Sequence, residues 1–383
     1  MGELKNGINK AAKDFGHGIP FVNLMDVFGK DEININSLGL VNVSAEEQER
    51  YELKKSDILF IRSSVKREGV AQIILIDELG VKLVYSGFLI RFRGNKEHIF
   101  SGFDKYCFVA PSFRKQVLRY ATTSANTNIN QDSLEKINIY LPEIKEQQKI
   151  ASFLSAVDKK IELLIKKHEL LEKFKKGLMQ KIFSQEMRFK QDDGGEFPDW
   201  EESFLEKKIF LQSGFPFKSK YFNGSDKKVL RIGDIKKNIR CELFKGIFTN
   251  EACEDKYKVN ENDFVIALSG ATFGKIGKVK DQEEYFINQR VAAVRTKENL
   301  EFFFQLFDSE LFKKYLLSVP SIGAQPNISN DDIYKFSYFF PTIKEQQKIA
   351  SFLSALDKKI DLVKQQIEKT QTFKKGLLQQ MFV

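Results

Sequence analysis

The sequence predicts an α/β (mixed α+β) protein built twice over, with two similar strand-rich halves that each lead into one long helix. Three observations carry that prediction. The thirteen residues IKEQQKIASFLSA stand letter for letter at 144–156 and again at 343–355, an offset of 199 positions. At that offset Asn128–Phe183 matches Asn327–Phe382 at just over half of its positions, including DKKI and FKKGL, so the chain is a tandem duplication. Ahead of each copy the apolar residues fall in short β-branched or aromatic runs, whereas within each copy they fall at heptad spacing.

The strand-like runs of the first half are IPFVNLM, DILFIRSS, AQIILI and VKLVYSGFLIRF, each bounded by polar turns. VLRIGDI, DFVIALSG and EYFINQRVAAVRT follow the same order in the second half, and LKKSDILF corresponds to VNENDFVI. The periodicity then changes. Ile349, Leu353, Leu356, Ile360, Val363 and Ile367 alternate steps of four and three, and Ile150, Leu154, Val157, Ile161, Leu164 and His168 do the same in the first copy. Pro142 and Pro341 mark the helix starts, with Thr342 and Glu345 spaced as a capping box and Glu143 in the cap position of the first copy. A helix from about 145 to 183 is roughly 60 Å long, too long to stand without burying its stripe. Its own repeat is the simplest partner, and a homodimeric coiled coil is the alternative. SQEMRFKQDDGGEFPDW, with paired glycines and Pro198, reads as a linker or tight junction.

Composition narrows the function. The 383 residues carry a net charge of +9 with a pI near 9.1, which permits a polyanionic partner without requiring one. Cys107, Cys241 and Cys253 are far apart, and a disulfide framework or zinc knuckle is not supported; a reducing compartment fits. The sequence has neither an apolar leader at its start nor the roughly 18 apolar residues in a row that a span requires, which leads to the expectation of a cytoplasmic protein.

Catalytic patterns fail one by one. SGATFGKIG at 269–277 resembles a phosphate loop, but Ser269 stands in the first glycine place and Ile276 where the magnesium-binding hydroxyl belongs. His17, His98 and His168 are scattered, and the Asn/Asp-Pro-Pro-aromatic tetrapeptide of adenine amino-methyltransferases does not occur. Glu52–Lys54 has the form of a nuclease carboxylate-lysine pair and reads as surface. His168 stands in the seam place held by Ile367, either as a tolerated interfacial residue or as a polar registry device.

Polar residues where strands end are the remaining candidates. FIRSSVKREG supplies Arg62, Ser63, Ser64, Lys66 and Arg67; the matching place in the second half supplies Ser269, Thr272 and Lys275. INQR sets Asn288, Gln289 and Arg290 opposite Tyr85, Ser86 and Gly87, and VLRIGDI adds Arg231. Arg and Lys suit phosphate or guanine edges, Asn and Gln suit adenine, and Ser and Thr suit either. Solvated turns are the competing reading for every one of them. TTSANTNINQDSL and SIGAQPNISNDDI are also equivalent, and their shared Asn128 and Asn327 are expected in turns first and at DNA second.

The paired P-x-I-x-EQQKIASFLSAxDKKI segments, the FKKGL ends and GEFPDW before the second variable region resemble the DNA-specificity subunit of type I restriction-modification systems. The resemblance covers nearly the whole chain. It implies target-recognition domains at 1–141 and 197–340, repeat helices at 142–184 and 341–383, and a linker at 185–196. It implies helices packed as an antiparallel coiled coil with pseudo-two-fold symmetry, and one half of a split asymmetric double-stranded DNA site read by each domain. Two methyltransferase subunits and two motor-nuclease subunits are the implied partners. S-adenosylmethionine, ATP and Mg2+ then belong to those partners, and this chain carries no cofactor, metal or catalysis. The first half departs from the pattern, because nothing in it corresponds to FPDWEESFLEKKIF before its first strand.

Overall fold

The computed structural model describes residues 1–77, 80–319 and 327–382. It divides into two compact units, one of residues 1–165 with 365–383 and one of residues 166–364. The long helices Ile144–Phe183 and Ile343–Met381 therefore each begin in one unit and end in the other.

In the first unit an antiparallel sheet runs in the order Gly2–Asn6, Leu89–Gly94, Ile58–Ile61, Ile73–Leu75. Successive side chains of a strand point to opposite faces. Ile58 and Phe60 thus enter a core with the helices Phe103–Val109 and Pro111–Tyr120, while Leu59 and Ile61 enter a second core with Leu83, Tyr85 and Leu89. Both faces are covered, so the run is apolar throughout rather than alternating. A second sheet orders Gly39–Val41, Phe15–Val22 and Val84–Tyr85, the last pair parallel.

The second unit repeats this plan. Its five-stranded sheet is ordered Phe210–Ser213, Val291–Arg295, Phe264–Ala267, Ile276–Val279, Asn238–Ile239. Phe264 and Ile266 face the helices Leu300–Asp308 and Glu310–Ser318, and Val265 and Ala267 face the other core. These helix pairs were not legible as helices. LEFFFQLF is apolar almost throughout and reads equally as a buried strand by periodicity. The caps were there to be read: Asn299 accepts from the Phe302 N–H at 2.9 Å and Ser309 from the Phe312 N–H at 3.3 Å, while Pro111 opens its helix where a missing N–H costs nothing.

The heptad seams close inside the chain. Ile349, Leu353 and Leu356 join Met179, Ile182 and Phe183 in the second unit, with Ile360 and Val363 also buried. Ile150, Ala151 and Leu154 join Leu377, Leu378, Met381 and Phe382 in the first, with Val157 buried and Ile161, Leu164 and Ile367 half-buried, while His168, also half-buried, falls in the second. In each unit the start of one helix meets the end of the other, so the segments run antiparallel as a coiled coil.

One ion pair recurs in that register. Lys175 donates to both oxygens of Asp357, at 2.8 and 2.7 Å, and the carboxylate also accepts from Gln305 at 2.8 Å and lies 3.1 Å from Lys237. In the other unit Lys374 lies 2.5 Å from Asp158, which accepts from the Tyr106 hydroxyl at 2.8 Å. Shifting Asp158 and Lys175 by 199 positions gives Asp357 and Lys374, so the duplicated residues supply one half of each pair.

The capping box expected of Thr342 and Glu345 does not close. The Thr342 hydroxyl accepts from the Glu345 N–H at a long 3.5 Å, and the Glu345 carboxylate turns inward instead. Fully buried, it accepts from the Trp200 indole at 2.9 Å and from Arg188 at 2.9 Å, two donors that a buried carboxylate needs more than a helix end needs a second cap.

Burial alone would raise the Asp357 carboxyl, but Lys175 and Lys237 outweigh it and hold the group below its ordinary value. A carboxyl depressed by folding contributes stability that is present above its unfolded pKa and is lost as pH falls through its folded one. Asp357→Asn leaves Lys175, 3% exposed, with only the more distant Asp308 carboxylate at 3.9 Å; a loss of about 3 kcal/mol is expected, with a flatter acid limb, in urea unfolding followed by the single Trp200. Asp158→Asn is expected to cost less, because Lys374 reaches water.

Candidate nucleic-acid interface

Two loops meet at the rim of each unit, joined by the same backbone bonds. In the first unit the Arg62 N–H donates to Phe88 O and the Ile129 N–H to Arg62 O, both at 2.9 Å. In the second the Leu268 N–H donates to Arg290 O and the Ile328 N–H to Leu268 O, again at 2.9 Å. Ser63 pairs with Asn128 across two short strands, and Ser269 pairs with Asn327 in an isolated bridge. The segments expected as turns around Asn128 and Asn327 thus run beside the basic loops, the first as a short strand and the second through a single bridge; residues 321–326 of SIGAQPNISNDDI lie outside the described residues.

These bonds correct the pairing of the second loop by one residue. Val22 stands opposite Tyr85 and Leu230 opposite Ile287, so Tyr85 matches Ile287, and Asn288, Gln289 and Arg290 match Ser86, Gly87 and Phe88. The slip arose because these strands are buried on both faces, so their runs lack the alternation that would otherwise exclude a one-residue shift.

Side-chain placement separates the candidates. Lys66 and Arg67 are exposed beyond Ser64, on a loop whose base Arg114 clamps through Val70 O at 2.6 Å and Glu68 O at 3.0 Å. Arg62 and Ser63 are half-buried, with the Arg62 guanidinium 3.4 Å from Gly87 O. In the second unit Lys275, Gln289 and Arg290 are exposed and Asn288 and Thr272 half-buried, the Thr272 hydroxyl donating to Ile232 O at 3.3 Å. Gly270 and Gly274, at φ of 78° and 73°, let that loop turn sharply enough to carry Lys275 outward.

Four candidates turn away from solvent or are tied down, with Ser269 Oγ buried and lacking a hydrogen-bond partner among the described residues. Ser64, Ser86 and Ser269 are buried, and Ser86 Oγ accepts from the Phe88 N–H at 3.2 Å. Arg231 is held by Asp234 at 3.1 Å. Phe88, exposed on the first rim, escaped the sequence reading, since a lone Phe between Gly and Leu reads as core.

The helices also present apolar side chains off their seams. Phe153, Leu163 and Phe174 are exposed, and so are their repeat equivalents Phe352, Leu362 and Phe373. The signal was available, because both copies keep an apolar residue at three places the heptad does not need. Among the described residues no group of His, Cys, Asp and Glu is arranged to hold a metal ion, and no helix is long and apolar enough to cross a membrane.

With this geometry in view, the comparisons agree. A family model described as the type I restriction modification DNA specificity domain matches twice, at residues 3–173 and 199–371. The type I restriction enzyme MjaVIII specificity subunit of Methanocaldococcus jannaschii is 30% identical over 317 residues, covering 78% of this chain and 73% of that protein. The putative type I restriction enzyme MjaX specificity subunit of the same organism is 25% identical over 393 residues, covering 98% and 89%. The crystal structure of a type I restriction-modification system S subunit from M. genitalium shares the fold, with a TM-score of 0.58 at 16% identity over 100% of this chain and 94% of that one. The class is therefore a DNA-specificity protein of restriction-modification systems. Within it, the chain belongs to the type I specificity (S) subunit family.

The rim rests on glycines that admit no side chain. A Cβ on Gly214 would strike the carbonyl oxygens of Ile287 and Asn288, and one on Gly7 those of Tyr85 and Ser86. Gly214→Ala is expected to lower stability by about 1–3 kcal/mol in thermal unfolding, whereas Gly233→Ala, with open space around it, should be neutral.

Proposed function

We propose that this chain selects a bipartite, asymmetric double-stranded DNA site, each unit reading one half with the loops at its rim. The observation that carries the reading is the double construction: two basic loops, joined by the same backbone bonds, occur once per unit with different side chains. Equal scaffolds with unequal tips suit two unlike half-sites.

In the second half-site Arg290 is the guanine reader and Gln289, with Asn288 behind it, the adenine reader, since these side chains form bidentate pairs with those bases in the major groove. Lys275, Lys66 and Arg67 serve phosphates, and Arg62, Ser63 and Thr272 line the contact. Ser64, Ser86, Ser269 and Arg231 act through the backbone and loops that they hold. The recognition parts are residues 1–141 and 197–340 and the helical parts 142–184 and 341–383, joined by 185–196.

The chain performs no chemistry in this scheme. Two methyltransferase subunits take the target adenines out of the duplex and methylate N6 from S-adenosylmethionine, and two motor-nuclease subunits use ATP and Mg2+. The duplicated exposed positions Phe153 and Phe352, Leu163 and Leu362, and Phe174 and Phe373 offer two equivalent apolar docking faces, as a pair of identical partners requires. The site of action is the cytoplasm.

The test is methylated-base mapping of cellular DNA with and without this gene, then with variants. Loss of N6-methyladenine from one split motif on deletion is the expected result; an unchanged methylome contradicts the proposal. Arg290→Ala is expected to relax one base in one half-site, costing about 1–3 kcal/mol of discrimination in binding by the reconstituted complex. Lys275→Ala is expected to weaken all duplexes alike and to reduce the salt slope by about one. Equal binding of specific and scrambled duplexes by the wild-type complex refutes sequence reading.

A further inference from the structure

The two rims are built alike and tipped unlike, and the difference is one of polarity. The Leu268 N–H donates to Arg290 O and the Arg62 N–H to Phe88 O, so Phe88 holds in the first unit the place of Arg290. Arg290 is an exposed cation, whereas Phe88 is an apolar ring, 57% exposed. The neighbouring turn differs in the same sense. The Ser86 N–H donates to Val22 O and the Asn288 N–H to Leu230 O, which puts Met25, 68% exposed, in the place of Gly233. Val65, also exposed, stands immediately before Lys66 and Arg67 on the basic loop. The first rim thus turns large apolar side chains to solvent beside its cations.

A single exposed phenylalanine needs no explanation on an ordinary surface. Phe88 differs because its turn is fixed on every side. The Gly87 N–H donates to Ile8 O at 2.9 Å, and the Arg62 guanidinium lies 3.4 Å from Gly87 O. The Phe88 N–H donates to Ser86 Oγ at 3.2 Å, and its carbonyl accepts from the Arg62 N–H at 2.9 Å. A Cβ on Gly87 would strike the Asn9 side-chain oxygen, so only glycine lets the turn lie so close. A ring carried on so rigid a turn loses little freedom when it meets a partner. Lys66 and Arg67, exposed on the adjoining loop, supply the charge that draws a phosphate backbone toward it.

We propose that Phe88 is a specificity-determining residue of the first unit, its ring packing on the C5 methyl group of a thymine in the major groove. This deepens the DNA-reading function proposed above and rests on it. The thymine methyl is the apolar group that the bases present in that groove, and a phenylalanine ring covers it without stranding a donor or acceptor of its own. Phe88 therefore reads thymine from the place where Arg290 reads guanine in the other half-site. The other use of an exposed Phe at DNA is as a wedge that unstacks a base step from the minor groove, where the methyl plays no part.

The test uses the complex reconstituted with the full chain, and duplexes of its motif in which each thymine in turn is replaced by deoxyuridine, which removes only the methyl. With the wild-type chain, one such replacement in one half-site is expected to weaken binding about fourfold, the effect of one methyl group left in water. Phe88→Ala is expected to bind the thymine and deoxyuridine duplexes alike, with the bases of the other half-site still read as strictly as before. Phe88→Leu, which keeps an apolar tip, should keep part of the methyl sensitivity, and both variants should unfold at the wild-type temperature because the ring lies outside the core. A wild-type complex indifferent to every deoxyuridine, a deoxyuridine penalty that survives Phe88→Ala, or a Phe88→Ala loss equal on specific and scrambled duplexes would each overturn the proposal and leave sequence reading by the complex intact. Equal binding of specific and scrambled duplexes by the wild-type complex would instead remove the reading on which it rests.

Discussion

The Lys–Asp pair between antiparallel helix segments is the constraint on which each unit depends. A buried ammonium is tolerated only opposite a carboxylate, and the carboxylate comes from the other helix at one fixed height. Apolar heptads alone permit slippage by a turn; a desolvated charge pair does not. Because Asp and Lys both lie inside the duplicated stretch, the same two residue types meet across the helices in both units, as a desolvated pair that fixes the register in the second and as a part-exposed pair in the first. The pairs differ in cost. Lys175 faces Asp357 and Asp308, with Gln305 also donating to Asp357, while Lys374 is part-exposed and its Asp158 also accepts from Tyr106.

Above the helices, a central strand covered on both faces fixes where each rim lies. Phe60 and Leu59, like Phe264 and Val265, belong to opposite cores, so neither strand can rotate or slip without exposing one of them. The loops that follow these strands are tied by main-chain bonds and by glycines with no room for a Cβ. Their outward side chains take no part in those ties. Exposed tips can therefore change without touching the core, which is the property a family of sequence readers needs.

The two copies diverge at the same carboxylate. Glu345 became the buried acceptor of Trp200 and Arg188, which joins the Arg188 junction and the strand Glu201–Phe204 to the start of the second helix. Glu146 keeps the sequence and is exposed among the described residues. Identical residues thus hold different jobs because packing, not spelling, decides what a buried carboxylate must satisfy.

The sequence by itself determined the duplication, the strand runs, the seam positions and the family resemblance, since repeats and periodicity are local patterns that survive in one dimension. It also placed the basic loops at strand ends. The helices Phe103–Val109 and Leu300–Asp308 were hidden because a helix buried nearly all round has little polar face to reveal its period, and the amphipathic Pro111–Tyr120 and Glu310–Ser318 that follow them span only two to three turns. Only the tertiary structure decided that Tyr85 matches Ile287, that Ser64, Ser86 and Ser269 face inward while Lys66, Lys275, Gln289 and Arg290 face outward, and that Glu345 serves Trp200 instead of its own helix cap. Each of those outcomes depends on which distant segment supplies the neighbouring atoms, and that is settled by packing in three dimensions.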